Sequence, residues 1–426
     1  MSRFYYFTIL LIFSVLSTAS FTQEVDKTGG WTRLASLGTN PYVTDPFVMT
    51  INPAWGGAYD NFLFGDIGFS TGTAFSAGGS PQFIAASFNL GNGWTVGGLL
   101  ARNDFTSVSI ALLDPGDNFP IGLPNAPFGV VSAVNNIVGA GLVTPLDNNM
   151  QLMGTYRSGK HIFGLAVAYA STTSEFTPDG GSTATGSASQ LGINAGILSE
   201  LSNDFLLDAG FSLILPGASY EPGGGSKTEA SQTIIIANAR AFWEMTSKVS
   251  LVPVFVLFSG SGTLDNGVNS TSSDMTSMTT IGAGLGVNYS VGDFLLAGGP
   301  SFAVINSTIP AVSGVSPELN SSAFIFPIWN LGIEWSMLDW LTARLGYIAE
   351  TGKATVETTS TATTVNETVF TFFLPPNRGI TMGLGFRLGD FSLDAYVYED
   401  VLRQGLNNIG GGGPTFASIS AGYAIP

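Results

Sequence analysis

The chain has 426 residues, of which 45% are hydrophobic and only 10% charged, with a formal net charge of −16. So acidic a balance excludes the basic patches that bind nucleic acid and disfavours anionic lipid surfaces. The absence of Cys excludes disulfides and thiolate metal sites, and 55 Gly argue against helices, since each Gly in a helix interior costs about 1 kcal/mol relative to Ala.

Residues 1–20 read as a signal peptide. Arg3 supplies the positive start, "FYYFTILLIFSV" the apolar core and "STAS" the small residues for cleavage. Its roughly 12 apolar residues fall short of the ~20 that a spanning helix needs. No later stretch approaches a spanning helix. An exported, oily, Gly-rich chain then has one main way to sit in a membrane, a closed β-barrel whose backbone groups pair across strands.

Residues 21–60 make a poor strand pair, because Pro41, Pro46 and Pro53 interrupt them. They read as a plug-like segment ahead of a barrel at 61–426. Alternation then predicts a strand at 61–70, seven hairpins with short turns, and a last strand at 414–425. The hairpins fall at 81–102, 149–171, 191–213, 233–259, 280–304, 323–350 and 379–399. The count is 16 strands, or 14 if one weak pair belongs to a loop. Ser-, Thr-, Gly- and Asn-rich stretches at 172–190, 216–232, 260–277 and 351–377 read as the long outward loops of an outer-membrane barrel. The longest connection, 104–148, is apolar and is expected either to fold into the outer mouth or to extend the preceding strand.

The phase of the alternation survives the turns. In "GITMGLGFRLGDFSLDAYVYE" the apolar set Ile380, Met382, Leu384, Phe386 and Leu388 resumes after Gly389-Asp390 as Phe391, Leu393, Ala395 and Val397. This face meets lipid and the other meets the lumen. Trp94, Trp243, Tyr289, Phe294, Trp335 and Trp340 lie near short turns, as a periplasmic aromatic girdle requires. Inward charges near the same turns are Arg240, Glu244, Glu334, Arg344, Arg387 and Asp394. Further from the turns the inward set becomes apolar, with Ile234, Ile236, Phe324, Phe326 and Ile328 and, less directly, Val254, Val256 and Phe258. Water-filled porins are polar inside, so this gradient points to a lumen for hydrophobic or amphipathic molecules.

Catalytic chemistry is not indicated. The sole histidine, His161, sits in the turn "RSGKH", and no metal-ligand cluster or nucleotide fingerprint appears. The expectation is a protein that is not an enzyme and uses no cofactor.

"TINPAWGG", followed by an aromatic strand, resembles the Asn-Pro-Ala region of the FadL-type outer-membrane hydrophobic-compound transporter family. The resemblance implies an N-terminal plug whose junction with the wall is held by Asn52, Pro53 and Ala54. It also implies passive uptake of hydrophobic molecules such as long-chain fatty acids, from outer-membrane lipids as surroundings. Relatives in that family serve as secretion-system accessory barrels, so periplasmic or secretion-complex partners without transport are the second expectation and a general porin the third. The family has 14 strands, a Gly-rich plug signature is not evident here, and Tyr423 lies three residues before the end where many barrels finish on an aromatic.

Overall fold

The computed structural model describes residues 27–66, 82–102, 129–139, 141–144, 148–177, 179, 181–267, 272–311, 317–359, 364–372, 379–397 and 416–426. The expected signal peptide lies outside them. The strands are β1 (Phe62–Asp66), β2 (Gln82–Gly91), β3 (Trp94–Arg102), β4 (Asn148–Ser158), β5 (His161–Phe176), β6 (Ala184–Ser202), β7 (Phe205–Glu221), β8 (Thr228–Thr246) and β9 (Val249–Asp265). They continue as β10 (Ser272–Asp274), β11 (Ser277–Val291), β12 (Phe294–Ile309), β13 (Glu318–Leu338), β14 (Leu341–Thr359), β15 (Thr364–Phe372), β16 (Ile380–Leu388), β17 (Phe391–Val397) and β18 (Phe416–Ala424).

Apart from β10 and β15, successive described strands pair antiparallel, and β1 pairs with both β2 and β18, which closes the barrel. Short β10 shares β9 with β11, and β15 shares β14 with β16, so the described segments fill 16 wall positions. No described helix is long and apolar enough to cross a membrane.

Polarity sorts the two faces. Leu152, Leu165, Phe211, Leu285, Leu331 and Leu345 are exposed on the outside, where a soluble protein would place charge. Near the short turns, cross-strand aromatic pairs ring the exterior. Trp94 meets Tyr156 at 4.8 Å, Phe294 stacks on Trp335 at 5.4 Å and Phe205 meets Trp243 at 6.5 Å. An apolar band with an aromatic belt at its short-turn edge is the surface of a bacterial outer-membrane barrel. The short turns therefore face the periplasm.

Two expectations are corrected. Much of the predicted long loops is strand: β5 and β6 run through 172–176 and 184–190, and β13 reaches 21 residues. A strand needs only about 9–11 residues to cross, so the wall extends well beyond the bilayer. Alternating Ser and Thr suit a strand that is wet on its outer face. The second correction concerns phase. Ile325 pairs with Gly352 and Ile328 with Glu350, so Phe326 and Pro327 together oppose one residue of β14. This bulge flips the faces of β13. Ile328 points inward, but Phe324 and Phe326, expected in the lumen, lie exposed on the outside.

Of the longest connection only 129–139 and 141–144 are described. Helix Val130–Val138 packs on the inner side of β7 and β8, with Val130, Val131, Ala133 and Val134 buried beside Ala218 and Ala230. Asn135 holds the return of the chain by two 2.9 Å bonds to the backbone of Val143. This part of the connection folds into the outer mouth.

Candidate functional site: the occupied lumen

The N-terminal segment lies inside the periplasmic half of the barrel, where its hydrogen bonds reach strands all round the wall. Its first helix, Trp31–Ser36, has no side-chain cap of its own. The wall supplies one: Asp66 on β1 accepts from the backbone N–H of Trp31 and Thr32, each at 3.2 Å, so a carboxylate sits at the positive helix end. Ser418 and Ser420 on β18 bond Thr32 as well. The helix leaves through Gly38, whose carbonyl accepts from Asn330 on β13 at 2.9 Å.

The chain then crosses the lumen. Asn40 donates to the carbonyl of Ala297 on β12 at 2.9 Å, and Asn288 on β11 donates to the carbonyl of Tyr42 at 2.8 Å. Arg240 on β8 donates to the carbonyls of Pro41 and Val43 at 3.1 and 3.0 Å. The Tyr42 ring lies on Gly286, where a Cβ would come within 2.2 Å of it. Two 3-10 turns follow, Pro46–Thr50 and Pro53–Gly57, each started by a side-chain cap and a proline: Asp45 accepts from Phe47 N and Asn52 from Ala54 N, both at 2.9 Å. Trp31, Phe47, Trp55, Tyr59 and Phe62 are buried among these turns.

Asn52, Pro53 and Ala54 open the second 3-10 turn of the segment, and Asn52 bonds the wall. Asn52 donates to Asp208 at 2.6 Å and to the carbonyls of Ile197 and Ala209 at 3.3 and 3.1 Å. Asp208 also accepts from Trp55 Nε1 at 2.9 Å and Arg240 Nε at 2.7 Å.

A second charged chain lies across the lumen. Arg33 sits 3.2 Å from Asp45 and 2.9 Å from Glu334, Glu334 lies 2.5 Å from Arg344, and Arg344 pairs with Asp394. Three carboxylates thus share two guanidiniums, and Arg33 lies nearer to Glu334 than to Asp45. Burial pushes Asp45 up to about 7 against the pull of Arg33. Arg387 and Glu244 lie on the inward face at the exposed periplasmic rim. Arg33, Asp45, Asn288 and Asn330 were not singled out in the sequence. Nothing local in the sequence marked the two asparagines as partners of the segment.

Above the segment the inner wall carries apolar clusters. One joins Ile214, Ile234 and Ile236 with Val256 and Phe258, and the other joins Ala303, Ile305, Ala323, Ile325, Ile328 and Ala354. Val254 packs lower, against the N-terminal segment. His161 hydrogen-bonds Ser199 at 2.7 Å beside a periplasmic turn.

No protein-family model and no curated protein sequence matches the chain. Among solved structures it is similar to the toluene transporter TodX of Pseudomonas putida, at 10% identity over 94% of this chain and 97% of that one, with a TM-score of 0.36. It is similar to the FrpB iron transporter of Neisseria meningitidis at 9% identity over 81% and 70%, TM-score 0.36. The copper transporter OprC matches at 9% identity over 79% and 67%, TM-score 0.37.

Proposed function

We propose that this barrel is a passive outer-membrane channel for hydrophobic or amphipathic small molecules, with the N-terminal segment as a plug that controls passage. The observation that carries this reading is the division of the lumen. Its periplasmic half holds charged and polar groups bonded to residues 27–60, whereas apolar clusters from β7–β9 and from β12–β14 line it above. An aqueous pore gains nothing from so much inward Ile, Val and Phe, because each apolar surface left in water costs about 25 cal/mol per Å². The Asn52-Pro53-Ala54 turn, whose sequence resembles the Asn-Pro-Ala region of FadL-type channels, supports the same reading, since it ties the segment to the wall.

Flux into liposomes carrying the full chain tests it. Entry of a small hydrophobic dye with exclusion of sugars is expected; ready sugar uptake by the intact barrel would overturn the reading in favour of a porin. Exclusion of both, with copurification of a periplasmic complex, would favour an accessory barrel instead.

A further inference from the structure

One rung of the inner wall departs from its apolar neighbours. On β6 and β8, Gln190 and Gln232 both point inward, on either side of Pro216 of β7. Gln190 pairs in register with Pro216, and Pro216 falls in the gap of the β7–β8 ladder between Ile214↔Ile234 and Gly217↔Ser231. The two side chains are 1% and 3% exposed, and all four of their amide oxygen and nitrogen atoms lack a partner among the described residues. The next inward positions toward the mouth, Ala218 and Ala230, pack with helix Val130–Val138. The next toward the periplasm are Ile214 and Ile234. One step further, about 13 Å along the strands from the glutamines, the paired Asn194 and Ser212 are also fully buried. Asn194 Oδ1 and Ser212 Oγ are likewise without partners. An unmade hydrogen bond on a buried amide is costly, so such groups in a lumen call for a polar occupant.

The charge of that occupant follows from where the bases lie. Arg33, Arg240 and Arg344 are committed to carboxylates and carbonyls of the periplasmic half. Arg157 donates to the carbonyl of Gly57 at 2.6 Å, and Lys227 pairs with Glu229 at 2.6 Å. Lys353 opposes Phe324 on the outer face. Among the described residues, no basic side chain stands at the rung of Gln190 and Gln232 on β5–β9.

We infer that Gln190 and Gln232 form a polar subsite for an uncharged hydrogen-bonding group, a hydroxyl, carbonyl or amide, carried on a hydrocarbon that packs beside the half-buried Phe258 of β9. This rests on the channel reading and narrows it: the preferred solute is a neutral amphiphile, not a carboxylate. Primary amides both donate and accept, so they match an alcohol or amide in full, but they offer an ionised carboxylate no counter-charge for its desolvation.

Equilibrium dialysis of radiolabelled octanamide against the full chain in lipid nanodiscs tests this, with empty nanodiscs as background and 1-octanol and octanoate at pH 8 as competitors. Octanamide and octanol should bind with octanoate at least about tenfold weaker. The near-isosteric pair Gln190→Met and Gln232→Met should lower octanamide affinity about tenfold and erase the preference, with heat-resistant barrel migration unchanged. Should the pair fail to assemble, each single variant should still lose severalfold. Octanoate competing as well as octanamide would overturn the inference and leave the channel reading standing. Full affinity in the assembled variants would also overturn it, since the amides would then serve water alone. Binding of none of the three probes, together with sugar entry in the flux assay, would overturn both readings.

Discussion

Asn52 hydrogen-bonds Asp208 at 2.6 Å, and this one carboxylate also holds Trp55 and Arg240. At this point of the wall, two side chains of the segment and one of the barrel thus converge on one carboxylate. Asp208→Ala leaves the guanidinium of Arg240 buried without its carboxylate, a loss of about 3–5 kcal/mol for a buried pair broken from one side. The cost falls on the docked segment, because the barrel strands pair through their backbones. The expected outcome is protease cleavage within residues 27–60 in fully assembled barrels, read by mass spectrometry. An uncleaved segment in the variant would count against the anchor.

Gly196 offers a sharper probe of the same contact. A Cβ there would lie 1.7 Å from Asn52 Oδ1, far inside contact distance. Gly196→Ala should displace the Asn52-Pro53-Ala54 turn with little effect on the β6–β7 ladder. Gly154, on β4, meets nothing within 4 Å of an added Cβ, so Gly154→Ala is the matched control. Ion conductance in planar bilayers should rise for the first and stay at the parent level for the second.

Much of this architecture was legible because a barrel wall repeats one simple rule. Each hairpin alternates, and Leu388 and Phe391, flanking a turn, keep the same face. Arg240, Glu334, Arg344 and Asp394 were recognisable as lumenal because they sit among apolar neighbours of opposite phase near short turns. Phe324 and Phe326 were misplaced because a bulge is one extra residue, and nothing in "FIFPIW" says which side of Pro327 changes face. The partners of the charges were not legible either. That Arg33 meets Glu334 across 301 positions depends on how the segment folds inside a closed wall, and alternation carries no information about that.

The phase change on β13 makes a direct prediction. Phe324→Trp and Phe326→Trp should place an indole on the outer wall, and Ile328→Trp should place one in the lumen. In vesicles with brominated acyl chains or brominated headgroup-level lipids, the first two should be quenched more strongly than the third. Equal quenching at all three positions would mean that the faces do not switch at Pro327.

The charge chain from Asp45 to Asp394 makes docking of the segment depend on pH. Asp45 is raised to about 7 by burial, above the ordinary carboxylate value it regains once the segment is released. The docked state therefore binds the extra proton. Its advantage is full below the ordinary value, declines as pH climbs, and is lost once pH passes about 7. Arg33 does not reverse this sign, because it also serves Glu334. Amide hydrogen exchange across residues 27–60 should be slower at pH 5.5 than at pH 8, after correction for the intrinsic pH dependence of exchange. Asp45→Asn keeps an acceptor for Phe47 N but cannot titrate, so its corrected exchange should change less over that range than the parent's. Faster corrected exchange at pH 5.5 than at pH 8 in the parent protein would show that Asp45 is docked in its charged form, with Arg33 as its principal partner.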